Sequence, residues 1–229
     1  MIPVGRWLVP AFSVTMVLAI VAGRWMILRR ARRMGIGHEV IAPLYLCALL
    51  AGFAGAMAGP LLHSKAGLTS FGGAVGALVA AVLFCRLRGY SYERTLWMFD
   101  LLAFGGTAAA ALGRLGCTLA HDHRGLLSTS WLAVRFPEGP RYDLGLIDFV
   151  FLSALFGVFC WLDRRPRPAG FFVIALAIAY SAFRILRAEL EVQPHIIGWV
   201  MVCLAGTAGA FFRPDRFARH LTEAAPQAP

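Results

Sequence analysis

From Gly113 to Gly125 the chain reads Gly113-Arg114-Leu115-Gly116-Cys117-Thr118-Leu119-Ala120-His121-Asp122-His123-Arg124-Gly125, which puts two guanidinium groups, two imidazoles and a carboxylate within eleven residues. An arginine in such a segment could hold a phosphate through paired, charge-assisted hydrogen bonds. Asp122, His121 or His123 could accept a proton as a general base. The plainer alternative is a solvated loop with helix-end arginines whose charged heads reach for water. His121 and His123 are also spaced as a metal pair, but a site needs three or four ligands and no partner cluster is evident, so no metal is expected.

Three further groups carry chemistry-bearing residues. In Arg141-Tyr142-Asp143-Leu144-Gly145-Leu146-Ile147-Asp148, Asp148 lies about one and a half helical turns beyond Asp143. A carboxylate that deep in an apolar run is costly unless paired or hydrated, which nominates Asp148 for function with Arg114 or Arg184 as partner, or equally for a structural ion pair. In Tyr180-Ser181-Ala182-Phe183-Arg184-Ile185-Leu186-Arg187-Ala188-Glu189, Tyr180 shares a helix face with Arg184, and Arg184 with Arg187. That face could bind an anionic headgroup; alternatively Arg187 and Glu191 form an i,i+4 pair in water, worth little. Finally, Gly72 and Gly73 lie in a run of small residues, Gly67 to Gly76. Such a run either presents helix-start N–H groups to an anion or, more commonly, lets helices approach closely.

The elements that must position these residues are membrane helices. Hydrophobic residues make up 59% of the chain and charged ones 15%, with a mean hydropathy of +0.69, which is too apolar for a soluble domain. A net charge of +10 would suggest nucleic acid in a soluble protein, yet here the arginines sit in short clusters between apolar runs. They read as topology signals and contacts to membrane lipids, and no nucleic-acid partner is expected. The five cysteines are odd in number and four fall inside apolar runs, so no disulfide framework follows.

A hydrocarbon core of about 30 Å needs roughly 20 helical residues. By that ruler apolar runs fall near 8–28, 40–62, 71–87, 95–113, 143–162, 170–187 and 195–212, the third and sixth being short. The expected fold is all-α and polytopic, about seven transmembrane helices with a long loop, 114–142, between spans 4 and 5. The start lacks a basic segment followed by a small-residue cleavage site, so the first run is expected to be a retained span. Residues 1–219 are expected to form a single transmembrane domain and 220–229 a disordered tail.

Lysines and arginines in alternate loops number 13 on one side (Arg29 to Arg33, Arg86 to Arg94, Arg164 to Arg167, Arg213 to Arg219) and eight on the other, with Arg24 at a span end. The richer side should face the cytoplasm, which puts the N-terminus and the 114–142 loop in the periplasm and the C-terminal tail in the cytoplasm. The outer arginines oppose this rule, and binding an anionic group is the simplest physical reason for them.

Taken in order on about seven spans, these clusters resemble the prolipoprotein diacylglyceryl transferase family of the bacterial inner membrane. The likeness runs over roughly 20–212 and is strongest at Gly113 to Cys117, Trp131 to Asp148 and Tyr180 to Arg184. Gly113-Arg114 looks like the family signature, whose arginine is held to engage the lipid phosphate, and Asp122 takes the place of its following carboxylate. Asp148 falls where the family has a glutamate, Arg184 matches its late arginine, and Tyr180 lies one turn before. There are departures. Phe71 stands where the family has a histidine, Cys117 and Ala120 replace its asparagines, and Tyr142-Asp143-Leu144-Gly145 replaces a His-Pro-Thr-Gln stretch. Ala188 occupies the place of an expected carboxylate, with Glu189 beside it.

The resemblance implies a cofactor-free transfer of diacylglyceryl from phosphatidylglycerol to the lipobox cysteine of a prelipoprotein signal peptide. Arg114, Arg184, Asp148, Asp122, His121 and His123 would be catalytic. Gly113, Tyr142, Asp143, Tyr180, Arg187, Glu189, Gly72 and Gly73 would bind substrate. The alternative is a catalytically silent relative that binds lipid or lipoprotein, and a small transporter is disfavoured because the charges form no path through the midplane.

Overall fold

The computed structural model describes residues 2–4, 7–63, 70–191, 200 and 202. A short antiparallel hairpin of β1 (Ile2–Val4) and β2 (Trp7–Val9) precedes six helices among these residues: α1 (Ala11–Arg33), α2 (His38–His63), α3 (Ser70–Leu87), α4 (Tyr92–Ala120), α5 (Leu144–Leu162) and α6 (Phe171–Arg187), the last tightening into a 3₁₀ turn at Ala188–Leu190. All six are long and apolar enough to cross a membrane. The seventh expected run, 195–212, and the tail fall outside the described stretch but for 200 and 202.

Side chains such as Val17, Leu50, Phe53, Leu83, Val150 and Trp161 stay exposed because their solvent is lipid. Half of the spanning window of α4 is buried, more than any other helix, and it packs on α1, α5 and α6. It is the central post of the bundle. Helix α2 pairs mainly with α3 through glycine backbones: a Cβ at Gly55 would run into the Gly72 carbonyl oxygen, and one at Gly76 into that of Ala51.

The structure departs from the sequence expectation most clearly between the fourth and fifth spans. Helix α4 continues past 113 to Ala120, since Leu115, Cys117, Thr118 and Leu119 are compatible with helix and their backbone groups are satisfied there. It ends at His121, in the left-handed conformation at φ 53°, where the N–H of His121 bonds back to Thr118. The remaining loop residues form a three-stranded antiparallel sheet in the order β3 (Arg124–Leu127), β5 (Gly139–Asp143), β4 (Ala133–Phe136). Arg24, expected at a span end, lies well inside α1, where its guanidinium meets His38 at 3.0 Å.

Candidate active site

One end of the bundle gathers the C-terminal turns of α4 and α6, the start of α5 and the small sheet. Asp143 caps α5: its Oδ1 accepts the Leu146 N–H at 3.0 Å, which orders the first turn of the helix. Asp148 then projects from the next turn and is fully buried. Gly145 lets α5 meet α4 closely, since an added Cβ would sit 3.0 Å from the Thr118 backbone nitrogen.

Three guanidinium groups converge on Asp148. Arg114 Nε lies 3.1 Å from Oδ2, Arg184 Nη1 3.6 Å from Oδ2 and Arg187 Nε 3.0 Å from Oδ1. Glu191 closes the cluster, with its Oε1 3.1 Å from Arg184 Nη2 and 2.5 Å from Arg187 Nη2. Arg114 and Arg187 are 8% and 4% exposed, so the charges interact where water screens little. Three guanidiniums face two carboxylates, which leaves one positive charge in excess among the described residues. The contacts to Asp148 are ion pairs and not hydrogen bonds, and Arg187 Nη1 is buried with no hydrogen-bond partner. Donor capacity is therefore left over in a positively biased, buried cluster. Tyr180 accepts a hydrogen bond from Arg114 and packs against Phe151 and Phe183.

Cys117 lies one turn beyond Arg114 and is buried. Its Sγ, a carboxylate oxygen of Asp122 and a ring nitrogen of His123 all lie within 4.8 Å of one another. His123 Nδ1 is 2.6 Å from Asp122 Oδ1. A carboxylate on Nδ1 fixes the tautomer that leaves Nε2 as the basic nitrogen. His121 turns elsewhere, with Nδ1 3.6 Å from Asp143 Oδ2 and its ring edge-on to Phe136, so the two histidines do not form the metal pair their spacing allowed.

Several expectations change with the structure. Arg114 is not a solvated helix-end residue: it sits inside α4, buried between α5 and α6. Arg187 and Glu191 do pair, but out of water, with the Arg187 side chain 3% exposed. Glu189 is exposed and takes no part in the cluster. Sequence reasoning missed Glu191 as a site residue, although Arg184, Arg187 and Glu191 stand at i, i+3 and i+7, one face of a helix. Gly72 and Gly73 lie in the first turn of α3 and pack against α2, where their bare backbones let the two helices touch. Gly113 has open space beside it. Tyr142 lies on β5, where the neighbouring Ser128 and Ser130 hydroxyls lower the pKa of its phenol from the ordinary value.

A sequence model described as prolipoprotein diacylglyceryl transferase matches residues 1–207. The chain is 26% identical over 210 residues to a phosphatidylglycerol–prolipoprotein diacylglyceryl transferase of Mannheimia succiniciproducens, covering 79% of this chain and 73% of the relative. It is 28% identical over 204 residues to the protein of that name from Chromohalobacter salexigens, covering 80% and 75%. With the protein of that name from Actinobacillus pleuropneumoniae serotype 3 it shares 30% over 143 residues, about half of that relative's length (51%). The match takes in α1 to α6 and every residue of the arginine cluster, and the chain belongs to the prolipoprotein diacylglyceryl transferase family.

Proposed function

We propose that this chain transfers the diacylglyceryl group of phosphatidylglycerol to the cysteine thiol of a prolipoprotein, at the periplasmic face of the bacterial inner membrane. The observation that carries the reading is the convergence of Arg114, Arg184 and Arg187 on the buried Asp148, beside the Asp122–His123 pair. A phosphodiester brings one negative charge, which matches the single positive excess of the cluster.

The chemistry then follows from the residues. The thiol of the acceptor gives its proton to His123 Nε2, held in the basic tautomer by Asp122, because the thiolate is the nucleophile. Sulfur attacks the glyceryl carbon that bears the phosphate oxygen. The C–S bond forms as the C–O bond breaks, and glycerol phosphate departs with one more negative charge than the diester had. Arg114, Arg184 and Arg187 stabilise that growing charge, while Asp148 and Glu191 keep the three cations together and oriented. The acceptor is a lipobox cysteine at the end of a signal peptide, which reaches the site along the bundle surface.

The orientation is supported by arginine placement. Arg29 to Arg33, Arg86 to Arg94 and Arg164 to Arg167 lie at the ends of the helices away from the cluster, and this richer side faces the cytoplasm. The N-terminus is then periplasmic and the C-terminus cytoplasmic.

The deciding experiment is lipidation of a lipobox peptide by the purified chain with phosphatidylglycerol. Arg114→Ala should abolish product while the protein remains folded in detergent. Arg114→Lys should lose most activity, since a point charge does not copy a planar fork. Wild-type product from both variants would remove the phosphate clamp from the mechanism, and lipid binding by the parent chain without product would leave the silent relative.

A further inference from the structure

The end of the bundle opposite the arginine cluster holds a cavity of about 730 Å³ where α1, α2, α4 and the α5–α6 connection meet. Arg30, Arg33, Arg94, Arg164, Arg165 and Arg167 line it. Only two carboxylates, Glu39 and Asp163, share the wall, so six guanidiniums face two carboxylates and four positive charges stand in excess. The positive-inside bias accounts for arginines on this side of a membrane; it does not account for their convergence on one cavity.

Arg30 supplies an independent sign of a ligand. It is 6% exposed, its Nε is held by Asp163 Oδ1 at 2.8 Å, and its guanidinium rests on the rings of Phe172 and Phe104. Its Nη1 is buried and has no hydrogen-bond partner. Asp163 is shared with Arg33 at 3.4 Å and so does not neutralise Arg30 alone. A buried cation with a spare donor, inside a wall of further cations, is built for an oxyanion.

We propose that this cavity takes the phosphodiester headgroup of an anionic phospholipid from the leaflet opposite the transfer site. Helix α4 separates the two sites: it begins at the cavity and carries Arg114 near its far end, and its 29 residues span roughly 43 Å. A lipid is favoured over a soluble anion because Met34, Ile36, Val40, Trp97 and Met98 share the wall with the arginines. A headgroup with its glycerol and upper acyl carbons meets both kinds of surface, whereas free phosphate would leave the apolar side unused. Basic pockets between helices on this side of a membrane recognise such headgroups by the same charge balance. The assignment does not depend on the transfer reaction.

The test is native mass spectrometry of the full chain in detergent, with dioleoylphosphatidylglycerol or dioleoylphosphatidylcholine added. The triple variant Arg33→Gln, Arg164→Gln, Arg165→Gln alters exposed side chains and leaves Arg30 in place. It should carry one phosphatidylglycerol fewer per chain than the parent, with affinity for that lipid down about tenfold or more. Its diacylglyceryl transfer should stay within about twofold of the parent, whereas Arg114→Ala should lose transfer and keep this lipid. Raising salt from about 50 mM to about 500 mM should strip the same lipid from the unaltered chain. Equal retention by phosphatidylcholine, an unchanged lipid count in the triple variant, or displacement by millimolar inorganic phosphate would each overturn the proposal.

Discussion

Asp148 has no exposed surface and holds Arg114, Arg184 and Arg187 within 3.6 Å, so each of those arginines depends on it for orientation. Asp148→Asn leaves three clustered cations with Glu191 as their one carboxylate. Removing one partner of a buried ion pair costs about 3–5 kcal/mol, and the thermal midpoint of the variant in detergent should fall accordingly. Its transfer rate should drop roughly 10²-fold, because the clamp loses its geometry as well as its charge balance. The two late glutamates should behave differently. Glu191 touches both Arg184 and Arg187, and Glu191→Gln should slow lipidation about tenfold, worth roughly 1.4 kcal/mol of transition-state stabilisation. Glu189→Gln, at an exposed position, should leave the rate unchanged; the reverse ranking would mean the cluster is arranged otherwise during turnover.

At the level of elements, the site depends on where α6 begins. Asp100, fully buried on α4, accepts the Gly170 N–H at 2.8 Å and the Val173 N–H at 2.9 Å, and so supplies the acceptor that α6 lacks at its own N-terminus. That contact fixes the height at which Arg184 and Arg187 arrive four turns later. Asp100→Ala strands those donors and should destabilise the chain by about 1–3 kcal/mol, seen as a lower thermal midpoint. Asp100→Asn, which keeps an acceptor oxygen, should recover part of the loss. The sheet serves the same end from outside. Gly125 lets β3 lie against the chain just after α6, since a Cβ there would come within 2.8 Å of the Leu190 carbonyl oxygen.

Over the whole molecule, alternating crossings put the arginine-rich connections at one end and the Asp148 cluster at the other. A cysteine in place of Trp131, which is 90% exposed on the sheet side, should react with a membrane-impermeant maleimide in intact cells. A cysteine in place of Arg164 should react only after the membrane is opened, with the parent chain as blank for its native cysteines. Labelling in the opposite order would invert the proposed topology. All six helices between the two ends are long and apolar enough to cross a membrane.

Hydropathy alone determined that the chain is a helical membrane protein, because lipid tolerates only segments that satisfy their own backbone and these runs have the length to do so. The types and spacing of Arg114, Asp148 and Arg184 were enough to nominate an anion clamp, since an arginine or carboxylate placed that deep needs a partner. What pattern alone left open was which partner. Arg114 and Asp148 are 34 residues apart and Asp148 and Arg184 36, so only the crossing of α4, α5 and α6 decides that one carboxylate serves three arginines. The same crossing replaced Glu189 by Glu191, one helical face winning over sequence proximity, and folded an expected loop into a sheet. It also drew six separate topology arginines around a single cavity, because convergence in space leaves no mark on a linear pattern.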